Sequence, residues 1–274
     1  MGTYKIMTDE TLRETVRHGD DRYPFAYYPE NIWQFDFHRI DWHWHHELEF
    51  IYVAEGAALC LIGADKIELS KGCGLFINSS ILHRFEAKSS TFFPNIVFAP
   101  SLLAPEESLI YDKYISPVIH AALPCQIFDP HTPWQNDVLQ LLLQIFALQE
   151  GEEKKELCTL QLLFQIWDIL WNHLDLSADP QNPHRVNHRQ ARLQTMMQYI
   201  HDHYTEEISL EMIAASASIS KSGALHIFQT GIHIAPVSYL IQYRLAQAAV
   251  QLYTTQKSVS SIAEETGFTS AGYF

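Results

Sequence analysis

The feature that most constrains this chain is a pattern that occurs twice in its last third. Ile208-Ser-Leu-Glu-Met-Ile-Ala-Ala-Ser-Ala-Ser-Ile-Ser220 reads as a helix, a tight turn and the start of a second helix that runs through Phe228. Two helices that cross steeply need small side chains at the crossing, and Ala214, Ala215 and Ala217 supply them. The arrangement recurs at Val259-Ser-Ser-Ile-Ala-Glu-Glu-Thr-Gly-Phe-Thr-Ser-Ala-Gly-Tyr-Phe274, with a helix expected over 236–253 between the two copies. Pro236 suits a first helical turn, Ser209, Ser220 and Ser258 or Ser260 are placed to cap helix starts, and Gly267 to end one. A rigid connecting helix would hold two recognition helices in successive major-groove segments on one face of DNA. Upstream, Leu193, Met196, Met197, Ile200 and Tyr204 share one face of a further helix.

Charge opposes a nucleic-acid reading at first sight. Eighteen Lys+Arg against 32 Asp+Glu leave the 274 residues at −14, whereas nucleic-acid binders usually carry a basic footprint. The imbalance is uneven, however. Residues 189–274 hold five basic and six acidic side chains, about −1, so the first 188 carry the other −13. Four cysteines (Cys60, Cys73, Cys125, Cys158) lie far apart with no CxxC pair, a pattern of neither a disulfide framework nor a zinc knuckle, and they point to a reducing cytoplasm. The sequence lacks an apolar run near the ~20 residues of a membrane span and opens without a signal peptide's apolar segment, so no membrane role is expected.

Residues 20–100 read as β. Glu49-Phe-Ile-Tyr-Val53, Ala58-Leu-Cys-Leu-Ile62 and Leu75-Phe-Ile77 are short apolar runs separated by turn signals at Glu55-Gly56, Gly63-Ala-Asp65 and Lys71-Gly-Cys-Gly74, which suits a small barrel or sandwich. After Pro133 the period changes. Val138, Leu141, Leu142, Ile145 and Phe146 fall on one helical face, and Leu157, Leu160, Phe164, Trp167, Trp171 and Leu174 step by threes and fours as a seam. Two helices joined by Glu150-Gly-Glu-Glu-Lys-Lys155 imply an antiparallel hairpin, with the seam either a dimer interface or packing onto the barrel. The polar, two-proline stretch that follows, over 177–190, reads as a linker.

The sharpest chemical signal is His43-Trp-His45-His46-Glu47-Leu-Glu49 followed by Gly56. On an extended strand residues of equal parity share a face, so His43, His45 and Glu49 are expected to point together, with His83 from a later strand. Such a set is compatible with a divalent metal site, with a metal-free pocket for a small organic ligand, or with a structural histidine cluster. Trp33, Trp42, Trp44 and Tyr52 are available to stack on a sugar or another ring. The spacing HxHxxxE-x6-G, with Gly74 nine residues before His83, resembles the two cupin motifs, although Asn78-Ser79-Ser80 stands where the second usually has a Pro-Gly turn. That resemblance implies a double-stranded β-helix barrel around an interior pocket.

The C-terminal part resembles the arabinose-regulator (AraC/XylS) family of transcription regulators. The residues that carry the likeness are Ser209-Leu-Glu211, Ile213-Ala214, Phe228, Pro236, Tyr239-Leu240, Arg244-Leu245, Ala248, Ile262-Ala263, Gly267-Phe268 and Tyr273-Phe274. The family's usual sensor is a cupin-type domain on the N-terminal side. By that resemblance Lys221, Ser222, Leu225, His226 and Gln229 of one recognition helix, and Ser270, Ala271 and Gly272 of the other, face DNA, while Arg244 pins the connecting helix. The chain departs from the family where His226 stands for the usual arginine, where His233 and Ser218 replace glycines, and where the second recognition helix is cut short at Phe274.

The expected architecture is therefore α+β and multidomain. A cupin-like effector domain spans 1–132 and a helical hairpin for dimerisation 133–176; after the linker, an all-α tandem helix-turn-helix domain occupies 191–274, its last part missing. The implied function is that of a cytoplasmic, non-enzymatic, homodimeric transcription regulator that binds promoter DNA and works with RNA polymerase. Its small-molecule effector, a sugar among the candidates, sits in the barrel near His43, His45, Glu49 and His83, which are also the candidate metal ligands. Two alternatives stand beside it: a metal-dependent cupin enzyme with a degenerate helical appendage, and a regulator without DNA affinity that works by pairing with an intact relative.

Overall fold

The computed structural model describes residues 5–9, 11–63, 65–121, 123–151, 155–176 and 183–268, the side chains of 183–188 excepted. It divides into two compact units: one takes in residues 5–9 and 13–184, and the other residues 11–12 and the chain from Arg185.

Two antiparallel sheets form the first unit. One has the order β1 (Phe25–Tyr28), β8 (Asn95–Phe98), β3 (Leu48–Tyr52), β6 (Gly74–Ile77), β9 (Cys125–Phe128). The other has the order β2 (Arg39–His43), β7 (His83–Ala87), β4 (Ala57–Ile62), β5 (Asp65–Ser70). Side-chain alternation decides what each strand faces. Ile51, Leu75 and Ile77 of the first sheet meet Ile40, Cys60, Ile62 and Phe85 of the second in a core between the sheets. Phe50, Phe76, Ile96, Phe98 and Phe128 point the other way, onto α2 (Pro133–Gln149) and α3 (Lys155–His173). Burial of each such side chain contributes about 1.5–3 kcal/mol. Because β3 is buried on both faces, Leu48-Glu-Phe-Ile-Tyr52 reads as a nearly continuous apolar run with one charge in it. Gly74 lets the helix approach: a Cβ there would lie 2.7 Å from Leu139 Cδ2 and 2.8 Å from the Ile51 carbonyl. Strand β9 lies outside the stretch read as β from sequence, since four residues are too few to show a period.

The seam expected over 157–174 does not act as one stripe. Trp167 and Leu174 join Leu163, Ile166 and Leu170 in the core, whereas Leu157 and Phe164 are 59% and 41% exposed. A straight helix drifts by about 20° per heptad against a 3.5-residue repeat, so the N-terminal half of the series rotates away from the sheet. The expected linker is also corrected in part. Residues 177–182 lie outside the described residues, and α4 (Pro183–His203) already begins at Pro183, whose fixed φ suits a first helical turn.

The second unit continues with α5 (Leu210–Ser216), α6 (Lys221–Ile232), α7 (Pro236–Thr254) and α8 (Val259–Glu265). Ser209, Ser220 and Ser258 each accept a hydrogen bond from the backbone N–H three residues on, so the caps read from sequence are formed. Leu193, Met196, Met197 and Ile200 of α4 are buried, as are Ile213 and Ala214, Phe228, Tyr239 and Leu240, Ala248, Ile262 and Ala263. Arg244 donates from Nε to the Tyr204 carbonyl at 2.6 Å and from Nη2 to the Glu206 carbonyl at 2.6 Å, which ties α7 to the end of α4. Gly267, at φ 84°, sits against that pin, where a Cβ would meet the Tyr204 carbonyl at 2.4 Å.

Two departures from the family pattern fall where backbone conformation is most demanding. Ser218 has φ 54° and His233 has φ 60°, both left-handed. That region costs a residue with a Cβ about 1–2 kcal/mol, partly offset by the ~0.4–1 kcal/mol of extra unfolded-chain freedom that glycine brings. Ser218→Gly and His233→Gly should therefore each raise stability by roughly 0.5–1 kcal/mol, seen as a higher urea midpoint by far-UV circular dichroism. An unchanged or lower midpoint would contradict the assignment.

Candidate functional site

Parity on a single strand does not by itself bring the motif residues together, because β2 ends at His43 and β3 begins only at Leu48. A bulge does the first part. In the β2–β7 ladder Ile40 is opposite Phe85 and His43 is opposite His83, so Asp41 and Trp42 together face Arg84. The extra residue turns His43 inward beside His83, as bulges next to functional sites often re-aim a side chain. Asp41 is held there by Arg84 Nη1 at 3.3 Å and Arg39 Nη2 at 3.1 Å. Burial works against ionisation of Asp41, but Arg84 and Arg39 bring its carboxyl below the usual range. His45 comes from the bend that follows, where the Ser80 N–H donates to the His45 carbonyl at 2.8 Å and Ser79 Oγ to the His46 carbonyl at 2.8 Å. Glu49 has the parity of Ile51 on β3 and so faces between the sheets.

The turn that grips this bend is where the second cupin-like motif departs from its pattern. Asn78, buried, donates from Nδ2 to the carbonyls of Val118 at 2.8 Å and Leu123 at 3.0 Å, while its Oδ1 accepts from the Ser79 N–H at 2.8 Å. It thus ties the turn to α1 (Ser116–Ile119) and the segment after it, a connection a proline could not make.

The result is a cluster of three buried imidazoles, His43, His45 and His83, with ligand-capable atoms within 4.8 Å of one another. Each Nδ1 lies on a backbone carbonyl: His43 on Asp41 at 2.8 Å, His45 on Glu47 at 3.2 Å, His83 on Ile81 at 2.7 Å. A carbonyl only accepts, so each Nδ1 carries a proton and Nε2 is the ring nitrogen turned inward. Glu49 Oε2 is 3.5 Å from His45 Nε2 and 3.3 Å from His83 Nε2. Glu49 Oε2 and His83 Nε2 are both buried without a hydrogen bond, since they lie off the line one requires. Burial opposes ionisation of Glu49, yet His45 and His83 hold its carboxyl well below the usual range. Burial, then the neighbouring His83 and His45, push the His43 imidazole well down.

Of these, His43, His45 and Glu49 line a cavity of about 50 Å³. Its other wall escaped the sequence reading: Glu14 and His18 from the segment before β1, Tyr28 and Glu30 at the end of β1, and Asn95 of β8. The only local signal was the four-residue spacing of Glu14 and His18. Burial and the charge of Glu49 raise the Glu30 carboxyl to about 7, against a hydrogen bond from Asn95. Trp33, Trp44 and Tyr52 do not line this cavity. Trp33 stacks on His38 at 3.5 Å, Trp44 meets His46 edge-on at 5.1 Å, and Tyr52, of opposite parity to Glu49, packs toward the helices.

In the second unit Lys221, Ser222, His226 and Gln229 are exposed along one face of α6, opposite the buried Ala224, Ile227, Phe228 and Ile232; Leu225 is half-buried at the edge of that face. Lys221 is ion-paired with Glu211, and Lys257 with Glu265. Ser270, Ala271 and Gly272 lie outside the described residues.

Comparison with known proteins agrees with this division. An AraC-like ligand binding domain model matches residues 31–166, and a helix-turn-helix domain model matches 213–274. The HTH-type transcriptional regulator YdeC of Bacillus subtilis (strain 168) is 30% identical over 98% of this chain and 92% of its own length. The HTH-type transcriptional activator RhaS of Enterobacter sp. (strain 638) is 25% identical over 95% and 91%. Among solved structures, ToxT from Vibrio cholerae aligns over 91% of both chains at 11% identity, with a TM-score of 0.39.

The Asn78 bonds allow a direct check. Asn78→Ala removes the donor from two carbonyls and leaves a void, and should cost about 2–4 kcal/mol, measured as a fall in thermal unfolding midpoint. A loss near zero would show that the turn is held by other contacts.

Proposed function

The chain belongs to the AraC family of transcriptional regulators, and from that footing we propose that the effector it senses is a divalent transition-metal ion. As a member of that family it joins an effector-binding domain to a helix-turn-helix domain that binds DNA. Its relatives are named as regulators and activators, so the reading as a cupin enzyme gives way.

One observation carries the metal reading: three buried imidazoles, each with Nδ1 held by a carbonyl, turn Nε2 toward one another beside an ionisable carboxylate. Protein ligands are oriented this way when the second ring nitrogen is fixed by the shell behind it. His43, His45 and His83 would hold the ion with Glu49, and a mixed imidazole and carboxylate set suits zinc, iron, manganese or nickel. A bound ion would supply the positive charge that the cavity wall lacks. Size supports the same reading: about 50 Å³ is far below the ~300 Å³ at which pockets for organic ligands begin, which disfavours a sugar.

The ion acts on DNA affinity only through a difference in its affinity for two states of the protein. His226, Gln229, Ser222 and Lys221 on the exposed face of α6, with Leu225 at its edge, are the residues we assign to DNA, with RNA polymerase the partner at the promoter. The protein is read as a homodimer through the exposed half of α3. There Leu157 and Phe164 flank a groove of about 420 Å³ lined by Gln144, Leu148, Cys158, Gln161, Leu162 and Gln165.

Metal-free protein should bind its upstream DNA with an affinity that changes about 5-fold or more on adding Zn²⁺ or Mn²⁺, the lower end of ordinary allosteric coupling, followed by fluorescence anisotropy. His45→Ala and His83→Ala should remove the metal response, and His226→Ala should weaken DNA binding with or without metal. Equal affinity in chelator and in metal would overturn the proposal. For the dimer, Phe164→Glu should convert the protein to a monomer in light scattering, and an unchanged mass would place the interface elsewhere.

A further inference from the structure

We propose that Glu14 and His18 form a second cation locus in the same cavity, beside the histidine cluster, so that the loaded cavity holds two divalent transition-metal ions. This deepens the metal reading above and shares its premise that the cavity takes cations.

The geometry at Glu14 and His18 repeats what is seen at Glu49 and His83. The His18 side chain is 3% exposed and that of Glu14 10%, with Nε2 and Oε2 3.3 Å apart. His18 Nε2 is nonetheless buried without a hydrogen bond. Its Nδ1 is taken up by the Tyr28 hydroxyl at 2.8 Å, which fixes the ring and leaves Nε2 facing the cavity. Two atoms that ligate one ion at ~2.0–2.2 Å, at angles near those of a tetrahedron or octahedron, lie about 3.0–3.5 Å apart. Glu14 Oε2 with His18 Nε2, and Glu49 Oε2 with His83 Nε2, are both held at that separation. The two loci adjoin, since the His18 ring meets the His45 ring edge-on at 5.4 Å.

Charge makes the same point independently. The cavity wall is Ile6, Glu14, His18, Tyr28, Glu30, Ile40, His43, His45, Glu49, Phe85, Asn95 and Val97, so three carboxylates face it and no lysine or arginine does. One divalent ion leaves a carboxylate uncompensated. Glu30 is the carboxylate left over: it accepts from Asn95 Nδ2 at 3.3 Å, it feels the charges of both Glu49 and Glu14, and among the described residues no cationic side chain pairs with it. Glu14 also anchors its segment to the barrel, its N–H donating to the Trp44 carbonyl at 2.9 Å. A second ion would therefore bind that segment to the site.

The test is a count of ions per full-length chain. Protein stripped with chelator is titrated with Zn²⁺ by calorimetry and with Co²⁺ by visible absorption, with far-UV circular dichroism to confirm the fold. Wild type should take two ions per chain. The Glu14→Gln/His18→Gln variant should take one, and so should the His43→Ala/His45→Ala variant, each with a distinct Co²⁺ spectrum. Glu14→Gln alone serves if the double variant does not fold, and should weaken the second ion at least 10-fold. One ion per chain, lost with His43→Ala/His45→Ala and untouched at Glu14 and His18, would overturn the second locus and leave the three-histidine reading standing. One ion lost only with Glu14 and His18 would overturn both the two-ion count and the three-histidine reading, leaving a single site at Glu14 and His18. No ion in wild type would overturn both.

Discussion

The constraint on which the first unit depends is the cost of holding ionisable side chains away from water. Burial of an unpaired charge costs several kcal/mol even after relaxation, and His43, His45, His83 and Glu49 are all buried between the two sheets. The structure answers most of that cost locally. Three Nδ1 atoms are satisfied by backbone carbonyls, and Asp41 behind His43 is matched by Arg84 and Arg39. Among the buried atoms left without a hydrogen bond, His18 Nε2 and Glu49 Oε2 belong to side chains that line one small cavity, and His83 Nε2 lies 3.3 Å from Glu49 Oε2.

Backbone irregularity is what makes the convergence possible. A regular β2 would have turned His43 to the opposite face from Ile40 and away from His83; the bulge opposite Arg84 brings it in. The bend carrying His45 is gripped by Ser79 and Ser80, and the turn those serines belong to is tied through Asn78 to the carbonyls of Val118 and Leu123. Gly74 removes a Cβ where α2 comes down on β6, so the helices close the sheet's outer face without disturbing the inner one. Metal-ligand geometry tolerates little looseness, and these supports lie within a few residues of each imidazole.

The second unit economises on charge. Its helices are started by serine caps and joined through the Arg244 pin, while the left-handed positions that glycine would fill at no cost are occupied by Ser218 and His233. Lys221 and Lys257 are each matched by a glutamate of the same unit. The exposed face of α6 therefore offers mainly uncharged donors and acceptors beside a single paired lysine. Under the proposed assignment of this face to DNA, it would read base edges more than it would neutralise phosphates.

The sequence by itself determined the two-part architecture, the serine-capped helices, the structural part of Arg244 and the four barrel residues that converge. All of these rest on short-range rules: hydrophobic period, cap chemistry and motif spacing. It also indicated, through parity alone, that Tyr52 opposes Glu49. Only the tertiary structure decided the rest. The inward turn of His43 depends on its ladder partner His83, on a strand far along the chain. The opposite wall, with Glu14, His18, Glu30 and Asn95, is assembled from three separate segments that no local pattern connects. The helical series from Leu157 splits between core and solvent because a straight helix does not keep a 3.5-residue repeat on one face. Local chemistry writes the candidate ligands into the chain, but which of them come together is settled by pairing at a distance.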